Sequence, residues 1–295
     1  MSNIVGDPQG PTENPAGAVG DTAGGADPWV LLRRFTAARV GLGRAGDSVP
    51  TGRLLEFEIA HAQARDAVHT AVDFTAIRAG LTGLDTLEVR SAAPDRATYL
   101  RHPDLGRRLD PHCDTLPAPT PHNPHNPDHP DEPAGGRFDV VFVIADGLSA
   151  RAVHDHAAPM LLAVLPRLTD WRIAPVVLAT QARVALGDEI GQRLRADLVV
   201  MLIGERPGLS AADSLGIYLT AHPKTGRRDH ERNCISNIHP PGGLDYHRAA
   251  DTLTHLMTQA RHLGITGTTL KDDLPTLPQT SLTQTSLTQT SMPRT

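Results

Sequence analysis

Cysteine, aromatic rings, positive charge and long apolar runs are all scarce in this chain of 295 residues. Two cysteines, Cys113 and Cys234, cannot build a disulfide framework or a four-thiolate zinc site. Lys and Arg number 28 against 33 Asp and Glu, a formal charge of -5. A non-specific nucleic-acid binder needs the opposite balance. The longest apolar runs, Val140–Ala145 and Leu198–Ile203, are far too short to span a bilayer. The first residues lack the basic and apolar regions of a secretory signal, so the expectation is a reducing cytoplasm.

What the chain has instead is 26 Gly and 25 Pro, unevenly placed. Residues 1–27 hold six Gly and three Pro, and residues 116–136 hold seven Pro and several His. Residues 271–295 end in a Thr/Gln-rich repeat of five residues, too short for a solenoid. Such stretches bury too little apolar surface to offset their ordering entropy, so all three are expected to be disordered. Two folded blocks remain. The first, 28–115, is expected to be a small, mainly helical N-terminal domain, and the second, 137–270, an α/β domain.

In the first block, Asp27-Pro28 reads as a helix start. A second helix is expected from a Thr51 cap through Leu54, Leu55, Phe57 and Ile59 to Ala71. Leu84–Arg90 could be strand or helix. Gly41, Gly43 and Gly46 match the letters of G-x-G-x-x-G. That motif needs a preceding strand and a helix starting inside it. Here a helix precedes, and Val49-Pro50 follows, so a flexible loop is the better reading.

In the second block, Asp139–Ile144, Ala174–Thr180 and Leu198–Ile203 are β-branched apolar runs, as in strands buried on both faces. Leu215–Thr220 is expected as an edge strand. Helices are expected from Ser149, restarting at Pro159, and over Asp188–Arg195 and Asp245–Leu263. Alternation of this kind predicts an α/β fold: a Rossmann-like, doubly wound, mostly parallel sheet with right-handed crossovers. Ligands of such sheets bind beyond the carboxyl ends of the strands. The segments there are Asp146–Ser149, Gln181–Val184 and Gly204–Leu209. Arg232–His239 shows no helical or strand period and reads as a polar binding loop.

Several chemistries were weighed for these groups. Cys234, His239 and Asp146 could form a thiol hydrolase site, but local spacing carries no geometry. Ser149 lacks the G-x-S-x-G elbow. His154, Asp155 and His156 are adjacent on a helix and do not face one ligand, so no metal ligands are assigned. The D-x-H-x-x-G motif that places a His on cobalt is absent: Asp245-Tyr246-His247 and Asp110-Pro111-His112 both lack the Gly.

Six stretches in order carry a resemblance. They are 36–46 (TAARVGLGRAG), 90–109 (RSAAPDRATYLRHPDLGRRL), 144–153 (IADGLSARAV), 183–191 (RVALGDEIG), 202–210 (LIGERPGLS) and 233–243 (NCISNIHPPGG). Together they resemble the small (light) subunit of ethanolamine ammonia-lyase, from about Arg34 to Leu263. The resemblance implies a complex with a large TIM-barrel subunit that binds ethanolamine and supplies the catalytic side chains. Homolysis of the Co–C bond of adenosylcobalamin starts a radical reaction that yields acetaldehyde and ammonia. The cofactor would lie base-on between the subunits, and the small subunit would contact it through Val184, Glu205 and Cys234. No catalytic residue falls on this chain. Glu205 suits the carboxamide rim of a corrinoid, Val184 offers backbone and an apolar wall, and Cys234 is small and soft. A cofactor edged with amides has little need of stacking rings, in keeping with the scarce aromatics. Arg39, Arg44, Arg101, Arg107 and Arg108 are expected at the subunit interface. The alternatives are a corrinoid-binding or assembly module without catalysis, and a stand-alone hydrolase using Cys234. Family members can be packed into bacterial microcompartments, but residues 1–27 show no amphipathic packing helix.

Overall fold

A computed structural model describes residues 28–36, 38–117 and 137–272. The expected disorder of 1–27, of most of 116–136 and of the tail from 273 falls outside these residues. The chain divides into two compact units, residues 1–54 and 55–295.

In the first unit, Pro28 opens a short helix, α1 (Pro28–Leu32), whose apolar side chains stay exposed. Gly41, Gly43 and Gly46 have φ of +56°, +81° and +64°, left-handed backbone that glycine adopts without strain. No strand precedes them and no helix starts among them, so this is a loop and not a phosphate cradle. A nineteen-residue helix, α2 (Thr51–His69), follows directly on Pro50, and from Leu55 onward it belongs to the second unit. The Pro50 carbonyl accepts from the N–H groups of Arg53 and Leu54, so Thr51 lies inside the helix and is not its cap. Leu54, Leu55, Phe57 and Ile59 are exposed, and within this helix only Ala60 and Ala67 are buried.

The second unit is built on one mixed six-stranded sheet. Its strands are β1 (Thr86–Arg90), β2 (Phe138–Ala145), β3 (Val176–Thr180), β4 (Ala196–Gly204), β5 (Leu215–Ala221) and β6 (Arg232–Ile238), in the order β1-β3-β2-β4-β5-β6. The four strands from β1 to β4 run parallel, and β5 and β6 are antiparallel additions. β1 settles the open reading of Leu84–Arg90 as strand and brings a piece of the first block into this sheet.

Helices cover both faces. Toward one lie α3 (Phe74–Gly80), α5 (Ala150–Val164) and α7 (Tyr246–Leu263), which pack on Phe142, Ile144, Leu178, Leu202, Ile217 and Ile235. Toward the other lies α6 (Leu186–Arg193), whose Leu186 and Ile190 meet Val143, Val199 and Met201. A further short helix, α4 (Arg96–Arg101), is capped by the Asp95 carboxylate. α5 runs unbroken through Pro159 instead of restarting there, with Ser149 as its cap.

Two expectations fail together. β5 is not an edge strand, because 232–238 is not a loop: it is β6, paired to β5 and forming the true edge. Its apolar period is hidden for two reasons. Only one face of β6 is covered, and a register shift opposite Leu215–Ile217 puts Ile235 and Ile238 on that same face.

Candidate functional site

The parallel strands point their carboxyl ends at three turns. After β2, Gly147 lets the chain pass against β4, where a Cβ would run into the Gly204 carbonyl. Asp146 is buried and accepts from the N–H groups of Gln181 (2.8 Å) and Ala182 (2.9 Å) and from Arg96 (3.3 Å). Burial pushes its carboxyl up, against the pull of the Ala182 N–H and Arg96. Asp146 thus pins the turn after β3, which carries Arg183 and Val184. The Arg183 and Arg96 guanidinium groups lie 4.4 and 4.9 Å from the ring centre of buried Tyr99, and the Tyr99 hydroxyl donates to the Ala182 carbonyl at 2.9 Å. Desolvation, then the Asp146 charge, pushes the Tyr99 phenol up, so it stays a neutral donor. Gln181 Oε1 and Arg183 Nε are buried without a hydrogen-bond partner among the described residues.

Val184 is half-buried in this turn and packs on the α6 side of the sheet. Glu205 follows β4 directly. Its Oε2 accepts from the Ser214 hydroxyl (2.5 Å) and from the Asn237 N–H (3.2 Å). Asn237 sits in the irregular part of β6 with φ +65°, and that bend aims its N–H at the carboxylate. Oε1 has no donor among the described residues. Gly216 lies beside it, where a Cβ would approach Oε1 to 2.9 Å.

Cys234 lies on β6 directly opposite Tyr218 of β5, so the two side chains share a face. Tyr218 packs on the α6-side core, which places this pair on the same face as Val184. Cys234 is solvent-exposed, yet protein on its inner side desolvates it and pushes the thiol up. The Tyr218 hydroxyl beside it opposes that shift; the Glu205 charge adds to it. Desolvation, then Cys234 and Glu205, pushes the Tyr218 phenol up. Glu205, Tyr218 and Cys234 are therefore electrostatically coupled, and Val184 lies on the same side of the sheet. At the other end of this face α6 covers the sheet: buried Arg232 grips Asp188 with two bonds of 2.6 Å. The members of the alternative triad have other partners: the Asp146 carboxylate accepts from Gln181, Ala182 and Arg96, His239 Nε2 lies 2.8 Å from Asn237 Oδ1, and Cys234 faces Tyr218. Arg44, Arg101, Arg107 and Arg108 are exposed, and Arg39 is half-buried.

Sequence reasoning missed Ser214, Gly216, Tyr218 and Asn237. They come from β5 and β6, and only the pairing of those strands brings them to Glu205. Tyr99 and Arg96 lay inside a quoted motif, but nothing in its spacing signals a ring between two guanidinium groups.

The sequence pattern described as "Ethanolamine ammonia-lyase light chain (EutC)" matches residues 26–271. The chain belongs to this family. A protein of Azotobacter vinelandii called "Ethanolamine ammonia-lyase small subunit" is 51% identical over 251 residues, covering 84% of this chain and 89% of its own. A Pseudomonas syringae protein of the same name is 48% identical, with 89% of each chain covered. A Ralstonia nicotianae protein, again so named, is 50% identical over 83% of this chain and 88% of its own.

Proposed function

We propose that this chain, a small subunit of an ethanolamine ammonia-lyase, holds adenosylcobalamin against a large catalytic subunit through Val184, Glu205 and Cys234. The observation that carries the reading is Glu205. Its carboxylate is fixed through one oxygen by Ser214 and Asn237 and keeps the other beside a glycine, on the open side of the sheet. A corrinoid rim is fringed with carboxamides, whose N–H groups suit an unpaired carboxylate oxygen. The orphaned Gln181 Oε1 and Arg183 Nε offer one further acceptor and one further donor near Val184. Cys234 and Tyr218 add a small, uncharged wall. The residues present therefore fit the group.

When bound, adenosylcobalamin supplies a weak Co–C bond whose homolysis begins radical chemistry. The residues named here bind and orient; none moves a proton to substrate. In this reading the sheet is a Rossmann-like platform that receives the cofactor with its benzimidazole on cobalt. The ethanolamine site and the catalytic side chains belong to a TIM-barrel partner. Arg39, Arg44, Arg101, Arg107 and Arg108 face that partner. No helix among the described residues is long and apolar enough to cross a membrane. The reading places the complex in the cytoplasm, free or packed in a bacterial microcompartment.

The test is co-expression with a candidate large subunit. Acetaldehyde should form from ethanolamine only when both chains and adenosylcobalamin are present. Glu205→Gln should weaken cofactor binding about tenfold, the ~1.4 kcal/mol expected of one charge-assisted bond. A well-assembled complex that binds cobalamin but releases no acetaldehyde would leave a corrinoid-binding module and overturn the lyase assignment.

A further inference from the structure

We propose that Asp155, His156 and Asp213 form a binding site for a divalent cation of the Zn2+ class. The three lie apart from Val184, Glu205 and Cys234: two sit on α5 and the third in the segment that joins β4 to β5. Their ligand atoms all fall within 4.8 Å of one another. The His156 side chain is only 7% exposed. Its Nδ1 is 2.7 Å from the Tyr246 hydroxyl, which leaves Nε2 as the free position. Nε2 is buried with no hydrogen-bond partner among the described residues. It faces Asp213 Oδ2 at 4.0 Å, too far for a hydrogen bond.

A buried imidazole nitrogen with nothing to bond, aimed between two carboxylates, is what a cation would complete. One nitrogen and two carboxylate oxygens, with water in the fourth position, suit zinc. Tetrahedral bonds of about 2.0–2.2 Å bring ligand atoms to roughly 3.3 Å from one another. The cluster needs to close by about 1.5 Å at most, and Asp155 is exposed, bonded to Arg151 on the same helix surface. Supporting contacts are already in place. With its proton on Nδ1, His156 donates to Tyr246 and turns the Nε2 lone pair inward, and Arg151 bonds Asp155 at 3.3 Å. Asp155 and His156 meet Asp213 although neighbouring His154 does not: it turns away to accept from the Asp73 N–H at 3.0 Å.

The site would act as a clamp. Next to Asp213, Ala212 accepts from the Ser149 hydroxyl at the start of α5, and Ser214 donates to Glu205. A bound cation would thus tie α5 to the segment that orients Glu205. This consequence rests on the function proposed above; metal binding itself does not.

The test uses the full chain with His122, His125 and His129 replaced by Gln, which removes the histidines of the Pro-rich stretch. Zn2+ alone is titrated against a chromophoric chelator, and Co2+ is followed by its visible spectrum. One equivalent of Zn2+ should bind, with a tetrahedral Co2+ spectrum. Asp213→Asn, His156→Gln and Asp155→Asn should each weaken Zn2+ at least about tenfold. Asp155 is exposed, so Asp155→Asn keeps the fold and the test stands if His156→Gln does not. No stoichiometric Zn2+, or an affinity unchanged by Asp155→Asn and Asp213→Asn, would overturn the proposal. Cobalamin binding by the complex, measured in parallel, separates the two readings. Loss of cobalamin binding with Zn2+ intact counts against the cofactor site alone.

Discussion

On the face covered by α5 and α7, every strand from β2 to β6 sends apolar side chains into one continuous cluster. On the α6 face the cluster ends at β4, with Tyr218 of β5 packed only in part and Cys234 of β6 in solvent. The same strands thus serve two purposes. One face holds the larger apolar core. The other is left unfinished where Glu205, Tyr218 and Cys234 meet. A single short helix, α6, makes the difference, since it covers β2, β3 and β4 but reaches the outer strands only at Arg232 and Thr220.

The comparison breaks most directly on the covered face. Phe142→Ala removes a fully buried ring and should destabilise by about 3–5 kcal/mol, read from urea unfolding of the chain. Arg232→Met comes next. It strands the Asp188 carboxylate, which is 2% exposed, and should cost about 3 kcal/mol. Adding Asp188→Leu should recover most of that loss, because a buried ion pair and a packed apolar pair are often close in energy. No recovery would show that the pair does more than neutralise itself. On the open face the balance reverses. Gly216→Ala should cost about 1 kcal/mol, well below either change above, since its Cβ presses on the Glu205 side chain at Oε1 (2.9 Å) and Cγ (3.0 Å). Displacing that carboxylate should still weaken cobalamin binding by about tenfold in the assembled complex. A large stability loss with unchanged binding would mean that this face is core after all.

The contrast also explains what could be read from the residues. β2 and β4 announce themselves because burial on both faces demands unbroken runs such as Val140–Ile144 and Leu198–Ile203. Glu205 and Val184 are found by position, since they follow such strands. β6 is invisible because it has one covered face and a shifted register. With it go Asn237, Gly216 and Tyr218 as partners of the site. α2 misleads in the opposite sense: its Leu and Phe residues suggest a packed face, but they remain exposed. Periodicity reports which residues are apolar, not whether this chain is what covers them. His156 and Asp213 share the fate of Asn237, for the fold alone brings them together.

The smallest expected effect is chemical and concerns Cys234. In a Cys113→Ser background it is the only thiol left. Thiolate, not thiol, attacks iodoacetamide. Partial desolvation, with the Glu205 charge behind it, holds the Cys234 thiol above its ordinary value despite the opposing pull of Tyr218. The thiolate fraction at neutral pH is therefore lower than for free cysteine. Alkylation near pH 7 should be slower than that of free cysteine despite the exposure, and the gap should narrow as pH climbs through the raised value. Assembly with the large subunit and cobalamin should slow it further, since the open face is then covered. A hydrolytic thiol would behave in the opposite way, because a nucleophile is activated by a lowered pKa. Labelling faster than free cysteine at neutral pH would reopen the hydrolase reading and take Cys234 out of the cofactor wall.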